Sequence, residues 1–145
     1  MHLEVKTILL AEDNLNDVEL TLSALEDLNI ANKVVVVHDG VEALEYLRRE
    51  GKYKERSEEN PGVVLLDIKM PRMDGIEVLK TIRQDPNLKK IPVVMLTSSR
   101  EENDLVRTYE MGVNAYVVKP VDFNQFVDAV KQLGIFWALV NEVPQ

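Results

Sequence analysis

The chain has 145 residues, of which 17 are Lys or Arg and 25 are Asp or Glu, for a net charge of −8. That length suits a single domain, commonly about 100–150 residues, and 46% hydrophobic residues allow a core that needs no staples. The absence of cysteine excludes a disulfide scaffold, a thiolate-ligated metal and a thiol nucleophile, and the acidic balance argues against nucleic-acid binding, which needs clustered Lys and Arg.

The amino terminus, Met1-His2-Leu3-Glu4-Val5-Lys6, lacks the basic and long apolar stretches of a secretory signal. No apolar run approaches the roughly 20 residues of a membrane helix. A cytoplasmic location without membrane contact is the expectation. Neither an internal repeat nor a low-complexity tract is visible.

In chain order, short apolar runs alternate with amphipathic segments. Ile8-Leu9-Leu10-Ala11 is followed by Leu15, Val18, Leu22 and Leu25 at helical spacing. Val34–Val37 is followed by Val41, Leu44 and Leu47, then by a charged stretch, residues 51–61, which reads as a solvated loop partly extending the helix. Val63–Leu66 precedes the face Ile76, Leu79 and Ile82. Val93–Leu96 precedes the weakest helical segment, with Leu105 and Tyr109 and a C-cap at Gly112. Ala115–Val118 precedes the longest stripe: Phe123, Phe126, Val127, Val130, Leu133 and Trp137.

The runs are rich in β-branched residues and do not alternate, as strands buried on both faces do. Asp39 with Glu42, Asp74 with Glu77, Ser99 with Glu102 and Asp122 with Gln125 have the spacing of helix-capping boxes. Five strand–helix units predict an α/β, doubly wound, five-stranded parallel sheet with five helices, and 2-1-3-4-5 is the expected strand order.

Ligands bind such sheets at the carboxyl ends of the strands. There the sequence places Glu12 and Asp13 after the first run, Asp67 after the third, Thr97 after the fourth and Lys119 after the fifth. Each alone has a bland reading, as a cap or a solvated charge; four of them facing one cleft argue for a site. Three carboxylates at adjacent strand ends repel one another, and a hard cation such as Mg²⁺ with oxygen ligands removes the conflict. A carboxylate can serve as nucleophile toward phosphorus, and that chemistry depends on positioning and on neutralising phosphoryl oxygens. Asp67, on the central strand, is the expected nucleophile, with Thr97 and Lys119 on the phosphoryl oxygens.

Ala11-Glu12-Asp13-Asn14, Leu66-Asp67-Ile68-Lys69-Met70-Pro71-Arg72-Met73-Asp74-Gly75, Leu96-Thr97-Ser98 and Tyr116-Val117-Val118-Lys119-Pro120 together resemble the receiver domain of two-component response regulators, from about Lys6 to Leu133. The resemblance implies that Asp67 accepts a phosphoryl group from a sensor histidine kinase. It implies Mg²⁺ ligation by Asp13, Asp67 and the backbone carbonyl of Lys69, with Glu12 acting mostly through water. It also implies phosphoryl binding by Thr97 and Lys119, a cis Lys119–Pro120 peptide, and an aromatic switch at Tyr116. Lys69 departs from the neutral polar residue that many receivers carry there. The receiver resemblance implies a flavodoxin-like fold, and the charged loop and the Phe136-Trp137 tail also resemble a narrower group, the stand-alone regulators paired with bacterial phytochrome kinases.

Residues 1–133 are thus expected to form the receiver, and 134–145 an apolar extension of the last helix. No output domain is expected, so the output is expected to be binding to an unidentified protein target, with a homodimer through the last helix and its extension. The alternatives are a relay intermediate that passes the phosphoryl group to a histidine phosphotransfer protein, and a small aspartate-nucleophile phosphohydrolase. The second is disfavoured by Lys69 at the place of a general acid, so the chain is expected to catalyse only its own phosphorylation and dephosphorylation.

Overall fold

The computed structural model describes residues 7–26, 33–57, 59–98 and 115–133. The elements in order are β1 (Ile8–Ala11), α1 (Leu15–Glu26), β2 (Val34–Val37), α2 (Gly40–Arg48), a 3₁₀ turn (Gly51–Tyr53), β3 (Val63–Asp67), α3 (Gly75–Gln84), β4 (Val93–Thr97), β5 (Ala115–Val118) and α4 (Phe123–Leu133). All strand pairs are parallel, in the order β2-β1-β3-β4-β5. The expected order is therefore the observed one. Among the described residues there are four α-helices rather than five. The segment around Leu105 and Tyr109, with its cap Ser99 and Gly112, lies outside the described residues, as does the whole tail from 134 to 145 with Phe136 and Trp137.

Every residue of β1, β3 and β4 is buried, which explains their uninterrupted apolar sequence. Successive side chains alternate between two core layers. Leu9, Ala11, Val64, Leu66, Val93 and Met95 meet α2 and α3. Ile8, Leu10, Val63, Leu65, Val94, Leu96, Ala115 and Val117 meet α1 and α4. In α2 and α3 the buried stripes hold Leu44, Leu47, Ile76, Leu79 and Ile82; α4 buries Phe126 and Ala129. Full burial of one such large apolar side chain contributes about 1.5–3 kcal/mol. Leu15 departs from expectation. It is 68% exposed at the first position of α1.

The helix caps form as expected where described. Asp39 Oδ1 accepts from the Glu42 amide at 2.8 Å, Asp74 Oδ1 from Glu77 at 2.9 Å, and Asp122 Oδ1 from Gln125 at 2.8 Å. The charged stretch after α2 is mostly exposed, as expected, but Tyr53 and Arg56 tie it to the helix. The Arg56 guanidinium stacks over the Tyr46 ring, 4.3 Å from its centroid. It also donates to the carbonyls of Tyr46, Leu47 and Glu59. Arg56 thus adds donors to carbonyls in the last turn of α2, where the helix itself supplies few. Tyr53 packs edge-on against Tyr46, with centroids 5.1 Å apart, and its hydroxyl donates to Glu42 Oε2 at 2.7 Å. Among the described residues, no helix is long and apolar enough to cross a membrane.

Candidate functional site

Alternation along the strands assembles the site. Ile8 and Leu10 face α1 and α4, and the Glu12 amide continues the ladder by donating to Val37 O at 3.0 Å. Val63 and Leu65 share that face, and Asp67 follows in the same parity. Val117 does likewise, with Lys119 next in parity and its amide donating to Thr97 O at 2.7 Å. Three side chains far apart in sequence thus reach one place.

Lys119 Nζ lies 3.1 Å from Asp67 Oδ1, 3.2 Å from Glu12 Oε1 and 3.0 Å from Asp17 Oδ2. The Glu12 side chain is fully buried, and the Asp67 side chain is 6% exposed. Burial, then the Glu12 charge, push Asp67 well above the usual carboxylate range, against the pull of Lys119. Burial alone would lower the Lys119 pKa; its bonds and charge attraction to Asp17, Asp67 and Glu12 outweigh that and raise it. A single ammonium does not relieve the cluster.

Glu12, Asp13 and Asp67 offer ligand oxygens that all lie within 4.8 Å of one another. With Lys69 and Lys119 they border an open cleft of about 260 Å³. Asp13 is exposed, so a bound cation would keep access to water. An all-oxygen donor set around a buried, protonation-prone carboxylate fits a hard divalent cation.

The other strand-end residues face the second layer. Thr97 shares the parity of Val93 and Met95, is 1% exposed, and its hydroxyl has no hydrogen-bond partner among the described residues. A buried polar atom left so is uncommon and calls for an explanation. Tyr116 is half-buried, pairs with Met95 across the β4–β5 ladder and packs on the α2–α3 core. It stands on the same side of the sheet as Thr97. The Lys119–Pro120 peptide is cis.

The loop from β3 to α3 is held on two sides. The Gly75 amide donates to Ile68 O at 2.7 Å. A Cβ on Gly75 would come within 2.2 Å of Asp67 O, so this position admits no side chain without a shift of the Asp67 backbone. Arg72, at φ 65°, bonds both oxygens of Asp39, the α2 cap, at 3.0 and 3.1 Å.

Two residues beside the cluster were given no role of their own in the sequence reading. Asn14 is the N-cap of α1, accepting from the Asp17 amide at 2.9 Å, and its own amide donates to Glu12 Oε2 at 3.1 Å. Asp17 is the third carboxylate on Lys119. In the sequence it looks like any first-turn acid, and nothing local ties it to a lysine 102 positions later.

The response regulator receiver domain family matches residues 8–131. The chain belongs to that family.

Among the receiver's relatives, the response regulator Rcp1 of Synechocystis sp. is 37% identical over 139 residues, covering 96% of this chain and 93% of that one. A crystal structure of Rcp1 is of its Mn²⁺-bound form, with a TM-score of 0.75, 36% identity and coverage of 97% of this chain and 99% of that one. The bacteriophytochrome response regulator AtBRR has a TM-score of 0.88 and 61% identity, covering 96% of this chain and 99% of that one. The phosphorylated cyanobacterial phytochrome response regulator RcpA has a TM-score of 0.78 and 41% identity, covering 98% of this chain and all of that one. The receiver is thus a two-component signalling protein with phytochrome-associated relatives.

Proposed function

We propose that the receiver accepts a phosphoryl group on Asp67 from a phosphohistidine of a sensor kinase, and that the modified form signals by binding another protein. The observation that carries this is the convergence of Lys119 on Asp67 within the Glu12–Asp13–Asp67 cluster. An Asp67 carboxylate oxygen attacks phosphorus in line. The P–N bond of the donor breaks, its electron pair returns to the imidazole nitrogen, and that nitrogen takes a proton from water. The product is an acyl phosphate. Attack of water on phosphorus later restores the carboxylate and releases inorganic phosphate. Lys119 donates to one phosphoryl oxygen and the unpartnered Thr97 hydroxyl to another, so that charge is met where it develops.

Glu12, Asp13, Asp67 and the Lys69 carbonyl are the residues that would hold Mg²⁺. When bound, such an ion neutralises the carboxylates and a phosphoryl oxygen. The Mn²⁺-bound form of Rcp1 and the phosphorylated form of RcpA support both parts of the reading. Phytochrome-associated relatives support a phytochrome-type kinase as the donor. Residues 1–133 form the receiver in this reading, with 134–145 an extension available for a homodimer. Tyr116, beside Thr97 on one face of the sheet, is the group that turns when Thr97 is drawn to the phosphoryl oxygen.

The test is incubation with a small acyl phosphate and Mg²⁺, followed by intact-mass measurement. Wild type should gain one phosphoryl group, Asp67→Asn should gain none, and a chelator should abolish the gain. A wild-type protein that stays unlabelled, or an Asn variant that labels equally, ends the proposal.

A further inference from the structure

Lys119 has one partner for which phosphoryl transfer has no need. An ammonium carries three donor protons, and in the receiver three carboxylates lie around it: Glu12, Asp17 and Asp67. A phosphoryl oxygen arriving on Asp67 therefore has to replace one of these partners.

The three differ in what replacement costs them. Glu12 is fully buried and also holds the Asn14 amide; without Lys119 it would keep a buried, uncompensated charge. Asp67 is the group being modified. Asp17 is the most exposed of the three, with 26% of its side chain accessible, and its carboxylate can turn to water. Asp17 does not cap α1, because Asn14 does that. Its carboxylate is free of that duty and is bonded to Lys119.

We propose that Asp17 is a positioning residue that holds Lys119 back in the unmodified receiver and competes with the phosphoryl oxygens for its ammonium. The inference rests on the reading of Asp67 as phospho-acceptor and deepens it. Asp17 sets how readily the site closes on a phosphoryl group, and Lys119 is released from α1 when the group arrives.

Two consequences have opposite signs. Removing the Asp17 charge frees the ammonium, so an anionic phosphoryl group is held more tightly. The same change takes one negative charge from the cleft, so a divalent cation alone is held more weakly. General damage to the fold would weaken both.

Calorimetric titration of the full chain separates these outcomes. Beryllofluoride, an acyl-phosphate mimic for a carboxylate, is titrated at saturating Mg²⁺; Mg²⁺ is titrated separately without it. Relative to wild type, Asp17→Asn should bind beryllofluoride about fivefold more tightly and Mg²⁺ about threefold more weakly, the size expected of one partly exposed ion pair. Asp17→Glu keeps the charge and should return both constants toward wild type. Asp17→Asn weakening both ligands, or changing neither, overturns the role of Asp17. Equal effects of Asn and Glu also overturn it, because charge would then not be the cause. Failure of wild type to bind beryllofluoride with Mg²⁺, or equal binding by Asp67→Asn, overturns the Asp67 reading and this inference with it. The wild-type and Asp67→Asn titrations thus tell the two failures apart.

Discussion

Gly75 offers the sharpest test of how the backbone carries the site. It is the first residue of α3 and does not lie in the left-handed region, so conformational freedom is not the reason for glycine there. Space is: an added Cβ would stand 2.2 Å from the carbonyl oxygen of Asp67 and 3.0 Å from its carbonyl carbon. Helix propensity pulls the other way, since Ala is favoured over Gly by at most about 1 kcal/mol in a helix. Overpacking costs about 1–3 kcal/mol, and an approach this close to backbone takes the upper part of that range, about 2–3 kcal/mol, so Gly75→Ala should lose about 1–2 kcal/mol net. With a mid-range m-value of about 2 kcal/mol/M, the urea midpoint should fall by roughly 0.5–1 M. Gly40→Ala is the comparator, because its Cβ would press on Met73 O at 2.1 Å instead. Both variants should lose stability, but only Gly75→Ala displaces the residue that carries the acceptor, so it should slow labelling by an acyl phosphate far more. A Gly75→Ala midpoint at or above wild type would refute the close-approach argument. Equal slowing of labelling by both variants would refute the claim that Gly75 acts through Asp67.

Burial would raise the Glu42 pKa, but its bonds to Lys52, the His38 amide and Tyr53 outweigh that and lower it from 4.5 to about 2. The stabilisation it gives is therefore complete above about pH 4.5 and is lost as pH falls toward 2. The gap in urea midpoint between wild type and Glu42→Gln should be widest at neutral pH and close in acid, and a pH-independent gap would count against this. Lys69→Asn should change the lifetime of the phosphorylated form without preventing its formation, because Lys69 borders the cleft; an unchanged decay rate removes it from the mechanism. The Arg72 side chain is 58% exposed, so Arg72→Ala should lower the urea midpoint only slightly through loss of the Asp39 pair. That drop should shrink at about 1 M salt, and a salt-independent drop would assign it to packing.

The strands and their order were legible because a sheet covered on both faces requires continuous apolar runs, and because consecutive parallel strands need crossovers of one hand. The strand-end residues were legible for the same reason: once Ile8, Val63, Val93 and Ala115 start their strands, Glu12, Asp67, Thr97 and Lys119 must emerge at the other end. Side-chain partnerships across the fold were not. Asp17 satisfies every local rule for a first-turn acid, and its bond to Lys119 depends on where α1 lies against β5. Arg56 reads as one more charge in a polar stretch until the Tyr46 ring and the last carbonyls of α2 are in place. Leu15 fits the helical period, but periodicity says nothing about the angle at which a helix enters.

Alternation along the strands divides the work of the site between two sides of one sheet. Glu12, Asp67 and Lys119 follow the parity that faces α1 and α4, whereas Thr97 and Tyr116 share the parity that faces α2 and α3. Charge collects on the first side, where an ammonium and a cation can act on phosphoryl oxygens over short distances. Among the described residues, the second side offers a hydroxyl and a ring, set against a densely packed apolar core. A phosphoryl group on Asp67 that draws in both Lys119 and Thr97 would therefore pull on both layers at once. On the charged side, the contact with Asp17 can exchange for water at little cost. On the apolar side, close packing leaves a displaced hydroxyl no solvent to fall back on. A shift there has to be taken up by the surrounding side chains, and in the proposed reading Tyr116, half-buried on the same face of the sheet, is the one that takes it up.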